Sequence, residues 1–462
     1  MVFSSALFLL IFFPVAILVY YALNDKVKNV YLLLLSLFFY SWGEPKFILL
    51  LLASIIINYL LALVIDFASN KQKKLLAKIF LITAIFYNLG LLFIFKYLDF
   101  AIANFNTVFS KDIAFRNIAL PLGVSFFVFK NLSYIIDVYS KKIKADKNII
   151  NFGLYVSFFP QIISGPITRY SDFGPQIKNR KLSVDKLYNG IIRFMTGFSK
   201  KILIADQLAS PVSLIFSNNG YSAPNAWIGA IAYTLEIYFD FSGYSDMAIG
   251  LGMMLGFETA ENFNLPYTST SVQDFWRRWH ISLSSWFRDY VYIPLGGSRC
   301  STGRIILNTT IVFFLTGLWH GASWNFIVWG LFYVVFLVIE RMGFKKILTK
   351  VPKAIQHIYA LAVIVFGWIF FRAESLSAAF IYMKNMFLVN SKTYIDIVTV
   401  FNSKLIICIL MGILFSSSFA SWIKEQLSQK IWLYNICVTV CFLIAIMYMW
   451  GNDFSTFLYA QF

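Results

Sequence analysis

Residues 4–23 (SSALFLLIFFPVAILVYYAL) run without a single charged side chain, and residues 46–65 (KFILLLLASIIINYLLALVI) carry one lysine at their leading end. About 20 apolar residues let an α-helix cross a bilayer core ~30 Å thick. Inside that core every backbone N–H and C=O must be satisfied without water, which leaves only helices and closed barrels. A barrel needs short alternating segments, and the sequence has none. Composition agrees: 59% of residues are hydrophobic and 13% charged, against roughly half and a quarter in soluble domains. The chain is expected to be an all-α polytopic membrane protein.

The net charge of +17 would point a soluble protein toward nucleic acid. Here it reads as orientation, because Lys and Arg collect in cytoplasmic loops. Basic residues recur at every second connection: Lys26 and Lys28; Lys71, Lys73, Lys74 and Lys78; Lys141, Lys142, Lys144 and Lys147. Arg341, Lys345, Lys346, Lys350 and Lys353 form another such loop. From it residues 355–371 lead out, 404–423 lead back to a loop with Lys424 and Lys430, and 431–450 lead out again. The N-terminus and the tail 451–462 are therefore expected outside, with the bilayer, not nucleic acid, as partner. Residues 4–23 lack a basic leader and an Ala-x-Ala-like site, so they read as a first span and not as a cleaved signal. The four cysteines form no metal-type cluster, and no metal is expected.

Between residues 151 and 317 the apolar pattern is interrupted by Pro, Gly and charge: FFPQIISGPITRY, EIYFDFSGYSDMAIG, NFNLPY and DFWRRWHISLSSWFRDYVYIPLGGSR. Irregular backbone at membrane depth is tolerated only where protein or a watery cavity satisfies it. This region is expected to be the functional core. No internal repeat is visible, so the chain reads as one domain.

His320 stands in TGLWHGASWNFIVWG (residues 316–330) and is one of three histidines. It reads either as a core histidine bonded across helices or as a working base. Gly317 and Gly321 leave room for a second backbone or a ligand; Trp319, Trp324 and Trp329 supply apolar walls. Burial disfavours the imidazolium, and a neutral imidazole can take a proton from a hydroxyl. His280 stands in residues 274–290, where Arg277, Arg278 and Arg288 outnumber Asp274 and Asp289, with Trp276, Trp279 and Trp286 interleaved. That pattern is expected of a helix lying on the inner leaflet, one whose arginines could also hold the phosphates of a cytoplasmic donor. Trp276, Arg277, Arg278, Trp279 and Trp319 are the candidate donor-binding side chains. His357, just after a basic loop, reads as an interfacial residue.

Glu236, Asp240 and Asp246 form a candidate polar core within the membrane. The first two share a helical face. They serve a proton or cation pathway in one reading, and pair with Arg169, Lys200 or Lys201 in the other. The tail ends in an aromatic FLYAQF, whose Tyr459 could accept an acyl group if a base took its proton.

Taken together, LPLGVSFFVFKNLSYIIDVY, FFPQIISGPITRY, YFDFSGYSDMAIGLGMMLGF, NFNLPYTSTSVQDFWRRWHISLSSWFRDYVYIPLGGSR, LTGLWHGASWNFIVWG and GWIFFRA resemble the membrane-bound O-acyltransferases, in their bacterial alginate-O-acetylation branch. The likeness runs from about residue 120 to 371 and resumes at FLYAQF; the first hundred residues match in hydropathy alone. Lys130 stands where Gln is usual, and Ser164 where Ala is common.

The resemblance implies helices ringing a central tunnel, with re-entrant and interfacial helices and roughly 11–13 crossings of ~20 residues each. Within the single domain it implies peripheral helices over 1–116, a catalytic core over 117–371, C-terminal helices over 372–450 and an extracytoplasmic tail over 451–462. It places the catalytic histidine at His320 and the second characteristic histidine at His280. It also likens FLYAQF to a motif that related D-alanyl transferases keep on a small partner, making Tyr459 an acyl relay. The implied activity moves an acyl group, expected to be acetyl, from a cytoplasmic thioester such as acetyl-CoA across a bacterial cytoplasmic membrane. No cofactor is expected to stay bound. An SGNH-hydrolase-like partner would then esterify a cell-envelope polysaccharide, alginate-like or peptidoglycan. D-alanyl transfer to teichoic acid and a proton-coupled transporter are the alternatives.

Overall fold

The computed structural model describes residues 3–218, 222–388 and 402–451, and these contain helices and loops with no β-strand among them. A π-helical turn at Phe8–Phe12 leads into α1 (Phe13–Ala22), followed by α2 (Asp25–Gly43), α3 (Ile48–Asn70), α4 (Lys74–Leu92) and α5 (Leu98–Phe109). Next come α6 (Val124–Tyr139), α7 (Ile149–Ser157), α8 (Tyr170–Lys178), α9 (Val184–Lys200), α10 (Asp206–Ser217) and the long α11 (Ala223–Met254). Two short helices, α12 (Val272–Arg278) and α13 (Ile281–Phe287), precede α14 (Thr302–His320), α15 (Trp324–Ile339), α16 (Lys345–Leu348), α17 (Lys353–Arg372) and α18 (Leu376–Asn385). The last are α19 (Ser403–Ser416), α20 (Ser418–Ser428) and α21 (Ile431–Gly451).

Among the described residues six helices are long and apolar enough to cross a membrane: Ile48–Asn70, Lys74–Phe109, Thr302–His320, Trp324–Leu348, Lys353–Arg372 and Ile431–Trp450. The multi-pass architecture expected from hydropathy is present. The remaining helices are short or carry charge, which is why this set is smaller than the roughly 11–13 crossings expected of ~20-residue spans. Three expectations change. The first apolar run forms only a short helix, Phe8–Ala22. Residues 404–423 are not one helix but α19 and α20, bent by 75°. The break falls in a run of serines, where extended Ser417 turns its hydroxyl to accept the Phe419 N–H at 3.2 Å, a local bond that competes with helix continuation. Conversely, EIYFDFSGYSDMAIG is unbroken inside α11. Its glycines serve close packing: a Cβ on Gly243 would lie 2.7 Å from the Gly197 carbonyl oxygen of α9.

The helices fall into two compact units, Met1–Phe194 with Met247–Ala260 and Met195–Asp246 with Glu261–Phe462. In the first, phenylalanines 8, 12, 39 and 159 pack ring against ring. Amides bond α3 to α4, Asn88 Nδ2 donating to Asn58 Oδ1 at 2.6 Å, and α6 to α3, Asn131 Nδ2 donating to Ser54 Oγ at 3.0 Å. Such bonds hold helices together where hydrophobicity offers no preference between protein and lipid. The irregular segment after α7 is buried in protein. Lys130 is buried against it, its ammonium donating to the Tyr155 carbonyl and to Gln161 Oε1, each at 3.0 Å.

In the second unit the charges of α11 are met from the end of α9 and the π-helical turn Lys201–Ala205. Lys201 Nζ lies 2.7 Å from Asp240 and 2.6 Å from Asp206, and Lys200 Nζ lies 2.6 Å from Asp246. The pairing reading therefore holds for Asp240 and Asp246. Glu236, one turn away and buried, has no hydrogen-bond partner for Oε2 among the described residues. Removing one member of a buried ion pair strands the other and typically costs about 3–5 kcal/mol. Lys201→Met is accordingly expected to lower the thermal stability of the solubilised protein by an amount of that order, and adding Asp240→Asn should recover part of it. A Lys201→Met variant as stable as the parent would show that the pair does not hold α11 in place.

Candidate active site

His320 is the last residue of α14, and α15 starts four residues later at Trp324. The two helices form a tight hairpin. A Cβ on Gly317 would lie 2.2 Å from the Phe326 carbonyl oxygen, and one on Gly330 2.2 Å from that of Phe313. The room left at Gly317 is thus filled by the backbone of α15, not by a ligand. Gly321 is equally closed, by the Phe326 ring at 2.3 Å from its would-be Cβ. The hairpin buries His320 to 1% exposure. Its ring meets Trp319 at 4.9 Å, Trp329 at 5.0 Å and Phe371 of α17 at 5.1 Å, edge-on in each case. Trp329 is a wall, as expected; Trp324 is not, being 53% exposed.

His280 sits at a sharp break between α12 and α13. Its backbone is left-handed, with φ 43° and ψ 54°, a conformation that non-glycine residues adopt only where surroundings hold them. The surroundings here are specific. Glu340 caps α12 from the end of α15, its two carboxylate oxygens accepting the N–H groups of Val272 at 2.7 Å and Gln273 at 3.0 Å. Ser271 accepts the Asp274 N–H at 3.0 Å. On the far side, the Asn262 carbonyl accepts the Ile281 N–H at 2.9 Å. The Asn262 side-chain oxygen lies 3.1 Å from His280 Nδ1 and accepts the Ser282 N–H at 3.3 Å.

The basic segment 274–290 is therefore not a continuous helix lying on a leaflet. It is two short helices whose junction carries a buried imidazole, 1% exposed. Burial pushes the His280 pKa down, keeping the ring neutral.

Trp319 brings the two histidines together: its ring lies 5.9 Å from His280 and 4.9 Å from His320. Phe241 of α11 meets His280 edge-on at 4.7 Å. Around them runs an aromatic cluster in which Trp276 packs on Trp329 (5.7 Å) and Trp279 on Trp368 (4.8 Å). Of the candidate donor-binding residues, Trp276, Trp279 and Trp319 thus join the histidines. Arg277 is exposed, and Arg278 is bonded to Asp274 at 3.1 Å. Asp240 and Asp246 are engaged by lysines, while Phe241 beside them faces the site. His357 bonds the Ser269 carbonyl at 3.1 Å. Tyr459 lies outside the described residues.

Sequence reasoning passed over Asn262, Phe241 and Phe371. Asn262 was visible as an amide flanking an aromatic in NFNLPY, but nothing local says that it reaches a residue eighteen positions on. Chemically, the arrangement holds two imidazoles in a buried aromatic setting. There a neutral ring can take a proton from a hydroxyl, and electrostatic effects on a reacting group are strong.

The model of the membrane-bound O-acyltransferase family matches residues 37–383. A protein of Pseudomonas aeruginosa named probable alginate O-acetylase AlgI is 42% identical, over 84% of this chain and 75% of its own. A peptidoglycan O-acetyltransferase of Helicobacter pylori is 32% identical over 100% of this chain and 98% of its own. A teichoic acid D-alanyltransferase of Bacillus subtilis is 31% identical over 48% of this chain and 59% of its own. With two of its three histidines gathered about one tryptophan, and with the family model and the O-acetylating relatives spanning most of its length, the chain belongs to the membrane-bound O-acyltransferase family and is an O-acyltransferase.

Proposed function

We propose that the protein passes an acetyl group from a cytoplasmic thioester, acetyl-CoA, to the extracytoplasmic side of a bacterial cytoplasmic membrane, for O-acetylation of a cell-envelope polysaccharide. The observation that carries this reading is the pair of buried imidazoles sharing Trp319. The relatives support acetyl over D-alanyl: those that cover most of the chain are named O-acetylating proteins, and the D-alanyl relative matches about half of it. The transporter alternative loses support, since Asp240 and Asp246 are held in ion pairs.

In the proposed reaction His320 takes the proton of an acceptor hydroxyl, which we assign to Tyr459. The oxygen attacks the thioester carbonyl, the C–S bond breaks, and the leaving thiolate recovers the proton from the imidazolium. His280 contacts the donor. The resulting ester is handed to a serine hydroxyl of an SGNH-hydrolase-like partner outside the membrane, and from there to the polysaccharide, alginate-like or peptidoglycan. The basic loops support an orientation with the N-terminus and the tail outside.

Intact-protein mass spectrometry after incubation with labelled acetyl-CoA tests the relay. One labelled acetyl group is expected on the parent and none on His320→Ala or Tyr459→Phe; unchanged labelling of Tyr459→Phe would remove Tyr459 from the pathway. Loss of a general base slows such a step by about 100- to 10,000-fold, so His320→Ala should fall by that factor in single-turnover acyl transfer. Orientation is checked separately by fusions. Alkaline phosphatase should be active behind residue 462 and inactive behind residue 350, and the opposite pattern would invert the proposed direction of transfer.

A further inference from the structure

We infer that Asn262 is a positioning residue that locks His280 in its Nδ1–H tautomer. Nε2 is then the unprotonated nitrogen, able to accept a hydrogen bond from an N–H or O–H and unable to donate one to an oxyanion. The inference deepens the acyl-transfer reading at the same site. Its consequence rests on that reading, whereas the tautomer stands on geometry alone.

The amide of Asn262 could face either way, and a neighbour decides it. The Ser282 backbone N–H points at the side-chain atom placed as Oδ1, 3.3 Å away. A backbone N–H can only donate, so that atom is the oxygen. The Ser282 hydroxyl donates to it as well at 2.9 Å, and the other amide atom, Nδ2, lies 3.1 Å from Ser245 Oγ of α11. His280 Nδ1 lies 3.1 Å from this same oxygen. An amide oxygen only accepts, so Nδ1 carries the proton. In a neutral imidazole one nitrogen donates and the other accepts, and burial keeps this ring neutral. The lone pair therefore sits on Nε2.

Asn262 also fixes where that lone pair stands. Its carbonyl and its side-chain oxygen satisfy the first two N–H groups of α13, those of Ile281 and Ser282. These are donors that the helix itself leaves open, and His280, in the N-cap position, makes no side-chain cap bond. One residue thus caps the helix that follows His280 and orients the His280 ring. The chemistry selects the substrate group. A developing oxyanion would need an N–H from His280, and the second proton that would provide one is disfavoured by burial. A thioester donor with an amide-bearing arm, or an acceptor hydroxyl, offers the complementary N–H or O–H.

The chain has three histidines, so nitrogen NMR of full-length protein labelled at histidine and held in lipid nanodiscs gives a spectrum that can be assigned with His280→Gln. The His280 ring is expected to show a protonated Nδ1 and a bare, far-downfield Nε2. Asn262→Asp retains an accepting oxygen and should keep that pattern, with single-turnover transfer within tenfold of the parent. Asn262→Leu should yield mixed or reversed tautomers and lose more than tenfold. A protonated Nε2 in the parent, or an unchanged tautomer in Asn262→Leu, would overturn the assignment. Should Asn262→Leu fail to fold, the parent spectrum decides by itself. A parent with the expected tautomer but no acyl transfer would instead overturn the acyl-transfer reading and leave the assignment standing.

Discussion

Lipid offers a backbone amide no partner, so a chain that interrupts its helices within a membrane protein must replace every bond that water would have made. The segment between α11 and α14 does so with few residues. Glu340 supplies two acceptors at the start of α12, Asn262 supplies two at the start of α13, and the Arg278 carbonyl takes the Asn264 N–H at 3.0 Å. Without those substitutes the break at His280 would leave buried donors unpaired, each at a penalty of about 1–3 kcal/mol. With them, a residue in a left-handed conformation becomes a fixed point, and the imidazole it carries is aimed by backbone geometry.

The same demand explains how the structure treats charge. Lys201 is as buried as Asp240 and is tied to two carboxylates at once. The lysines engage Asp240 and Asp246 of α11, and between them the same helix presents an aromatic, Phe241, to His280. Asp240 and Asp246 are thereby engaged away from the imidazole, while Glu236, one turn from Asp240, stays buried with no partner for Oε2 among the described residues.

Much of this was legible in the residues, and the exceptions share a cause. Long apolar runs mark spanning helices because little else satisfies a backbone in lipid, and the glycines beside His320 mark a close approach, open in the sequence between a backbone and a ligand, that the α15 backbone fills at Gly317. The interruption at NFNLPY and around His280 was visible too. What local pattern misjudged was which interruptions survive. EIYFDFSGYSDMAIG reads as broken, yet its glycines allow close helix contact and two of its three acids, Asp240 and Asp246, are met by lysines of a different segment, so α11 runs through. The 274–290 segment reads as one amphipathic helix, yet Glu340, sixty-six positions beyond Asp274, caps a shorter one. Partners distant in sequence decide both cases, and periodicity carries no record of them.

The two histidines are alike in burial and different in mounting, and the difference bears on what each can do. His320 ends a long helix and is walled by rings on three sides, Trp319, Trp329 and Phe371. Those walls exclude water and set its position by shape. His280 is held by a polar grip on one ring nitrogen as well as by Phe241 and Trp319. A hydrogen bond to one nitrogen fixes the tautomer, which a residue that must hold a substrate in one pose requires. A fixed tautomer is what the donor-holding role proposed for His280 would draw on, and the hydrogen bond to Asn262 supplies it from a residue eighteen positions away.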